Sequence, residues 1–415
     1  MSQTDQAPAD GLIQGQITDE TIALMRERFG YPNPTLRNGI LEVPWNTAVS
    51  TDALRHWAWS IGDDNPMYVD PDYGASTRWG GPIAPPGFEM TMGVKRNKPM
   101  TPEFEKRTRG ALRGVQLFHS GGENFYYAPL TVGTRLCKAE WVQDVQVKQS
   151  QFASKSAIVT NGLAYWDASE RTVIDGCNWF VHTERRKTTD KDKYAKDEPA
   201  RYTDEQLAEI EAAYDNEYRR GRDTLYLEDV APGQVLPRMA KGPITITDQI
   251  NFYMGAGWLT YGNPPFRLAH ENRKRLRGFY SRNEFNGWDT IQRVHWDANL
   301  AQQIGVKAMY DIGPIRWAMV CHYLTNWAGD DAFVHRVKYE FRRFNYMGDT
   351  TWIQGTVTAA RVDERLGPLV ELDITGVNQR GHENIRASAT VLVASRRHGP
   401  ARLPSPPPVT PHRAT

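Results

Sequence analysis

The feature that most constrains the fold of this chain is a repeat: its second half retraces the pattern of its first. Tyr68-Val69-Asp70-Pro71-Asp72-Tyr73-Gly74-Ala75 leads after a short polar stretch to Gly81-Pro82-Ile83. In the second half, His295-Trp296-Asp297-Ala298-Asn299-Leu300-Ala301 leads to Gly313-Pro314-Ile315. Downstream, Pro129-Leu130-Thr131-Val132-Gly133-Thr134 is echoed by Asn345-Tyr346-Met347-Gly348-Asp349-Thr350, and upstream Thr51-Asp52 is echoed by Thr247-Asp248. The copies lie further apart at Tyr68/His295 than at Thr51/Thr247, so the second half carries an insertion near Leu259–Thr290. A chain of 415 residues built this way is expected to fold as two like units, each with its own elements.

Each half closes with strand-like alternation broken by turns. Ala157–Tyr165, a turn around Asp167–Glu170, and Thr172–Val181 are matched by Val370–Val377, a turn at Gln379-Arg380-Gly381, and Ile385–Val393. Ahead of the second meander Pro314 suits a first helical turn. The segment Ile315–Trp327 then offers Ile315, Met319, Val320, Tyr323, Leu324 and Trp327 with almost no polar face, which predicts a buried helix. Pro85-Pro86-Gly87-Phe88-Glu89-Met90 begins the corresponding helix of the first half. A long buried helix wrapped by an antiparallel sheet is an α+β layer solution, the hot-dog architecture, here expected twice in one chain.

Composition narrows the function classes. Forty per cent hydrophobic and 24 % charged residues exclude wholesale disorder. Lys+Arg 50 against Asp+Glu 49 gives no reason to expect nucleic acid or a membrane surface as partner. Cys137, Cys177 and Cys321 are odd in number and show no CxxC spacing, against both a disulfide framework and a zinc site. The N-terminal stretch lacks the charged and apolar regions of a secretory signal, and no apolar run reaches the length of a membrane span, so a cytoplasmic protein is expected. The expected division is a flexible N-terminus (1–17), a first unit (18–185), a linker with a connecting helix opened by Thr203 (186–224), a second unit (225–397) and a proline-rich tail (398–415).

Gly62-Asp63-Asp64-Asn65-Pro66-Met67-Tyr68 resembles the G-D-x-N-P-x-H signature of the MaoC-like acyl dehydratases, the R-specific enoyl-CoA hydratase superfamily, in its two-hot-dog form. Pro82-Ile83-Ala84-Pro85-Pro86-Gly87 is similar to the N-terminal dehydratase domains of that superfamily. In the second half His295-Trp296-Asp297, Tyr310-Asp311-Ile312-Gly313, Thr325-Asn326-Trp327, Gly329-Asp330-Asp331 and Arg343-Phe344-Asn345 resemble bacterial acyl dehydratases. The resemblance covers roughly residues 18–395.

It implies hydration of a trans-2-enoyl-CoA to a 3-hydroxyacyl-CoA, or the reverse, with coenzyme A part of the substrate and no metal or other cofactor. Such chemistry needs a base for the water, an acid for the α-carbon, and a donor for the thioester oxygen. The family's histidine falls on Tyr68 in the first half, and a phenol with a pKa near 10 is a poor base at neutral pH. That half is therefore expected to bind the acyl tail, with Asp63, Asn65 and Tyr68 against substrate. In the second half His295 matches the histidine and is the expected catalytic residue.

The aspartate has no direct match there. Asp289 is the first candidate for the missing carboxylate and Asp297 the second. Gly313 and Arg316 are the candidates for polarising the carbonyl, with Tyr310 and Asp311 against substrate. The insertion carries Arg273, Lys274 and Arg275, candidates for the phosphates of coenzyme A. A thioesterase using a carboxylate and a bound water, or an inactive acyl-CoA-binding protein, are the rival readings. The fused pair supplies internally the pairing of single hot dogs, and a further homodimer is expected.

Overall fold

The computed structural model describes residues 11–36, 43–148, 155–185, 198–258, 262–409 and 412. Ten strands form one continuous sheet. From the first half come β1 (Val94–Lys95), β2 (Gln116–Tyr126), β3 (Cys137–Lys148), β4 (Ser156–Trp166) and β5 (Thr172–Thr183). The second half supplies β6 (Met239–Lys241), β9 (Phe333–Phe341), β10 (Thr351–Asp363), β11 (Gly367–Asn378) and β12 (Glu383–Leu392). The inserted segment adds a small hairpin, β7 (Tyr280–Arg282) and β8 (Trp288–Thr290).

The strand order, β1-β3-β4-β5-β2-β9-β12-β11-β10-β6, reads the same outward from its centre in both halves. At the centre β2 and β9 pair antiparallel, with Glu123 opposite Lys338 and Asn124 opposite Val337. The duplication thus produces two five-stranded units joined edge to edge, which removes the exposed edge each would otherwise present. The meander turns fall where the sequence places them: Asp167 N–H donates to the Arg171 carbonyl, and Asn378 N–H to that of His382.

The second half carries the expected helix, Gly313–Ala328, with Pro314 in its first turn. It is buried nearly all round, and its polar members Arg316, His322 and Asn326 are buried with the rest. Among its described residues the first half has no such helix: Phe88–Thr91 is a single 3-10 turn. Gly87 enters it in the left-handed region (φ +103°) and Met92 leaves it extended, after which the chain pairs as β1 with β3. The space is filled instead by a core drawn from both halves, in which Trp57, Phe88 and Ile174 cluster with Trp317, Leu324 and Trp327.

Two segments expected to be loose are packed. Leu12 and Ile17 are buried, and the Ile13 carbonyl accepts from Arg185. In the tail Ala401 is buried and its carbonyl accepts from Arg78, while the His412 ring lies 4.7 Å from that of Trp141. The connecting helix runs from Asp204 to Asp215, capped by Thr203 with Gln206 in a reciprocal capping box. Most of the charged stretch before it, 186–197, lies outside the described residues, as do 1–10 and 259–261.

Candidate active site

His295 ends a short 3-10 segment, Ile291–His295, that follows β8. Its imidazole is almost fully buried among aromatic rings, 4.7 Å from Tyr310 and 6.4 Å from Tyr253. Nδ1 lies 2.8 Å from the Tyr310 carbonyl oxygen. A carbonyl only accepts, so the proton sits on Nδ1 and the lone pair on Nε2. Nε2 makes no hydrogen bond to a described residue. Burial pushes the pKa down to about 4, so the ring is neutral at physiological pH.

The carbonyl that fixes this tautomer belongs to the segment entering the central helix. Next to it Asp311 is fully buried, ion-paired to Arg316 at 3.0 Å and accepting from Asn345 at 3.0 Å. Burial pushes the Asp311 carboxyl up to about 6 against the pull of Arg316. Arg316 also donates to the carbonyls of Arg343 and Asn384 and lies over the Phe341 ring. At Gly313 a Cβ would come within 2.9 Å of the His119 side chain, which reaches across from β2. The mouth of the helix is therefore built from both halves.

The first-half motif sits at the other end of the same helix. There a pocket opens to solvent, lined by Asn65, Tyr68, Ile83 to Pro86, Glu89 and Tyr126, with Thr325, Ala328 and Asp330 from the second half. Asn65 caps the helical turn Pro66–Val69 by accepting from Met67 N–H. Tyr68, bonded to Thr325, is buried, and burial with the nearby Asp63 raises its pKa well above that of a free phenol. Glu89 is 2 % exposed. It accepts from Tyr126 Oη at 3.0 Å and Gly87 N–H at 2.8 Å, and burial brings its pKa up to about 7.

Asp63 faces away into a buried charged cluster. It accepts from Asn65 N–H at 2.9 Å and lies 3.6 Å from His322 Nε2. His322 also meets Glu217 at 3.3 Å, and its Nδ1 lies 2.9 Å from Lys241 Nζ. Asn326 Nδ2 lies 3.1 Å from the same Nε2. This cluster ties the first-half motif to the central helix.

Residues 40–175 match the model of the FAS1-like dehydratase domain region. Among solved structures, a MaoC-like dehydratase superposes with a TM-score of 0.55 at 16 % identity, over 86 % of this chain and 99 % of the other. A conserved Mycobacterium tuberculosis protein with a double hot-dog fold gives 0.47 at 13 %, over 87 % and 98 %. A MaoC domain dehydratase from Chloroflexus aurantiacus gives 0.49 at 10 %, over 88 % and 96 %. The comparison with curated proteins finds no match. The chain has the double hot-dog fold of the MaoC-like dehydratases.

On this double hot dog the two candidate carboxylates are engaged away from His295. Asp297 caps the helix Ala298–Gln303 and pairs with Arg293 at 2.9 Å. Asp289, on β8, accepts from Thr290 N–H. Neither hydrogen-bonds the imidazole. A carboxylate at a helix N-terminus is held by the cap, and strand pairing of β8 fixes Asp289.

The cations of the inserted helix, Phe266–Arg275, also have neighbours. Arg273 lies over Trp288, Lys274 pairs with Glu271, and Arg275 donates to Asn272. Sequence reasoning missed Glu89, His119 and His322. Of these only Glu89 carried a signal, an acidic residue inside an otherwise apolar helix entry.

Proposed function

We propose that this double hot dog hydrates a trans-2-enoyl-CoA to a 3-hydroxyacyl-CoA, or runs the reverse dehydration, at His295. The observation that carries the reading is the imidazole's single tautomer: Nδ1–H held on the Tyr310 carbonyl, with Nε2 making no hydrogen bond among the described residues. In that state Nε2 accepts a proton as water oxygen bonds to the β-carbon. The resulting imidazolium returns that proton to the α-carbon, so water is added across the double bond and the ring ends as it began. A low pKa makes the ring a weak base but a strong acid for the second transfer. Asp311, adjacent in the chain to the residue that holds the ring and paired with Arg316, is the buried carboxyl we assign to positioning the ring, in place of Asp289 or Asp297.

Loss of the conjugated absorbance of trans-2-enoyl-CoAs tests the activity. His295→Ala is expected to lower the rate by about 10²–10⁴-fold, the usual worth of a positioned acid–base group. An equally active variant would retire the assignment. Release of free coenzyme A from a saturated acyl-CoA would instead make the protein a thioesterase.

A further inference from the structure

We propose that the first-half pocket is a binding site for an apolar acyl group bearing a hydroxyl, and that Glu89 is the residue that reads the hydroxyl. This rests on the acyl-thioester reading above, which by itself assigns the pocket no polar recognition. The wall is mostly Ile83, Ala84, Pro85, Ala328 and Phe333, an apolar lining with few polar groups, the character of sites that hold small organic groups. Into that wall the sequence places one deeply buried carboxyl with no ion pair to any described cation. The titratable groups that act on it are Tyr126 from β2, Tyr165 from β4, Tyr339 from β9 and Cys321 from the central helix, all acids whose own pKa values are raised by burial. None compensates a negative charge.

The hydrogen bonds decide which ligand fits. One lone pair of each Glu89 oxygen is taken, by Tyr126 Oη and by Gly87 N–H. An ionised carboxylate offers about four acceptor positions, so it can still accept and has nothing to donate. A ligand hydroxyl supplies the missing donor at no cost in charge. A ligand carboxylate meets Glu89 as a like charge in an apolar wall, and an ammonium must first shed its own hydration there. Asp330, the other carboxyl on the rim, is already bonded by Tyr73 Oη at 2.7 Å.

Saturated thioesters have no double bond to hydrate, so binding can be read on the intact protein. Calorimetry with ω-hydroxyacyl-CoAs of six to ten carbons against their parent acyl-CoAs is expected to show at least one hydroxylated thioester binding about tenfold tighter at pH 8, the worth of one hydrogen bond to a charged group. The margin should shrink at pH 6, as Glu89 takes up its proton. Glu89→Gln should remove that pH dependence, and Ala84→Trp, which fills the pocket, should remove the preference itself.

Equal affinity across every pair, or a preference that survives Ala84→Trp, would overturn the proposal and leave the thioester reading standing. Free octanol, octanoate and octylamine separate the remaining cases. If no thioester binds but octanol does, with the pH dependence lost in Glu89→Gln, the thioester reading fails and the hydroxyl site stands. If octylamine or octanoate binds better than octanol, the hydroxyl assignment fails.

Discussion

Asp311 and Arg316 form a fully buried ion pair, 3.0 Å apart, at the point where the chain turns into the central helix. Arg316 also ties down two backbone carbonyls from the far side of the core. The pair therefore fixes the segment whose Tyr310 carbonyl holds His295. Breaking a buried pair leaves an uncompensated charge, whereas replacing both partners does not. Arg316→Met is expected to destabilise the protein by about 3–5 kcal/mol in urea unfolding, and Asp311→Leu with Arg316→Met by much less. A double variant as unstable as the single one would show that the guanidinium acts through its carbonyl bonds instead.

Gly313 is required by contact. Its missing Cβ would stand 2.9 Å from His119 Cβ and Nδ1. Gly313→Ala should cost about 1–3 kcal/mol by overpacking, and adding His119→Ala should return part of that loss. Strict additivity of the two substitutions in a double-mutant cycle would mean that the added methyl and the His119 side chain do not meet.

Glu89 makes the protein less stable toward neutral pH. Its folded pKa, about 7, lies above the ordinary 4.5, so between those values the native state keeps a proton that the unfolded chain has lost. Stability then falls as pH rises from about 4.5 to about 7, by about 3 kcal/mol. Urea midpoints against pH should flatten across that window in Glu89→Gln. A variant that keeps the full slope would place its origin elsewhere, with Asp311 next in line.

The buried histidines act in the opposite sense at the acid end. His295 and His182 are held near 4 and His119 near 3, all below the ordinary 6.5 because burial disfavours the charged ring. Below 6.5 the unfolded chain gains protons that the native state refuses, so stability is lost as pH falls from about 6.5 toward 4. His182→Asn should reduce that loss; an unchanged acid limb would show that His182 titrates normally.

The inserted helix offers a kinetic test. Replacing Arg273, Lys274 and Arg275 with Ala is expected to raise the Michaelis constant for an enoyl-CoA and leave kcat unchanged, if these cations meet the phosphates. An unaltered KM would leave them as a solvated face, paired with His270, Glu271 and Asn272.

The sequence by itself determined the duplication, the strand meanders, the buried helix after Pro314, and His295 as the one histidine on a matching motif position. These rest on local periodicity and turn chemistry, which a chain carries wherever it folds. Tertiary structure decided what those residues meet. In place of the first-half helix stands a single turn, packed in a core drawn from both halves. Proximity in sequence pointed to Asp289 and Asp297 as partners of His295, whereas in the fold Asp297 caps a helix and Asp289 accepts from a backbone N–H. Asp311, His119 and His322 reach their places only when β2, β9 and the central helix come together. Glu89 became conspicuous only once its depth and its lack of a cation could be seen. Burial and pairing across distant segments are properties of the packed molecule, and no spacing in the chain encodes them.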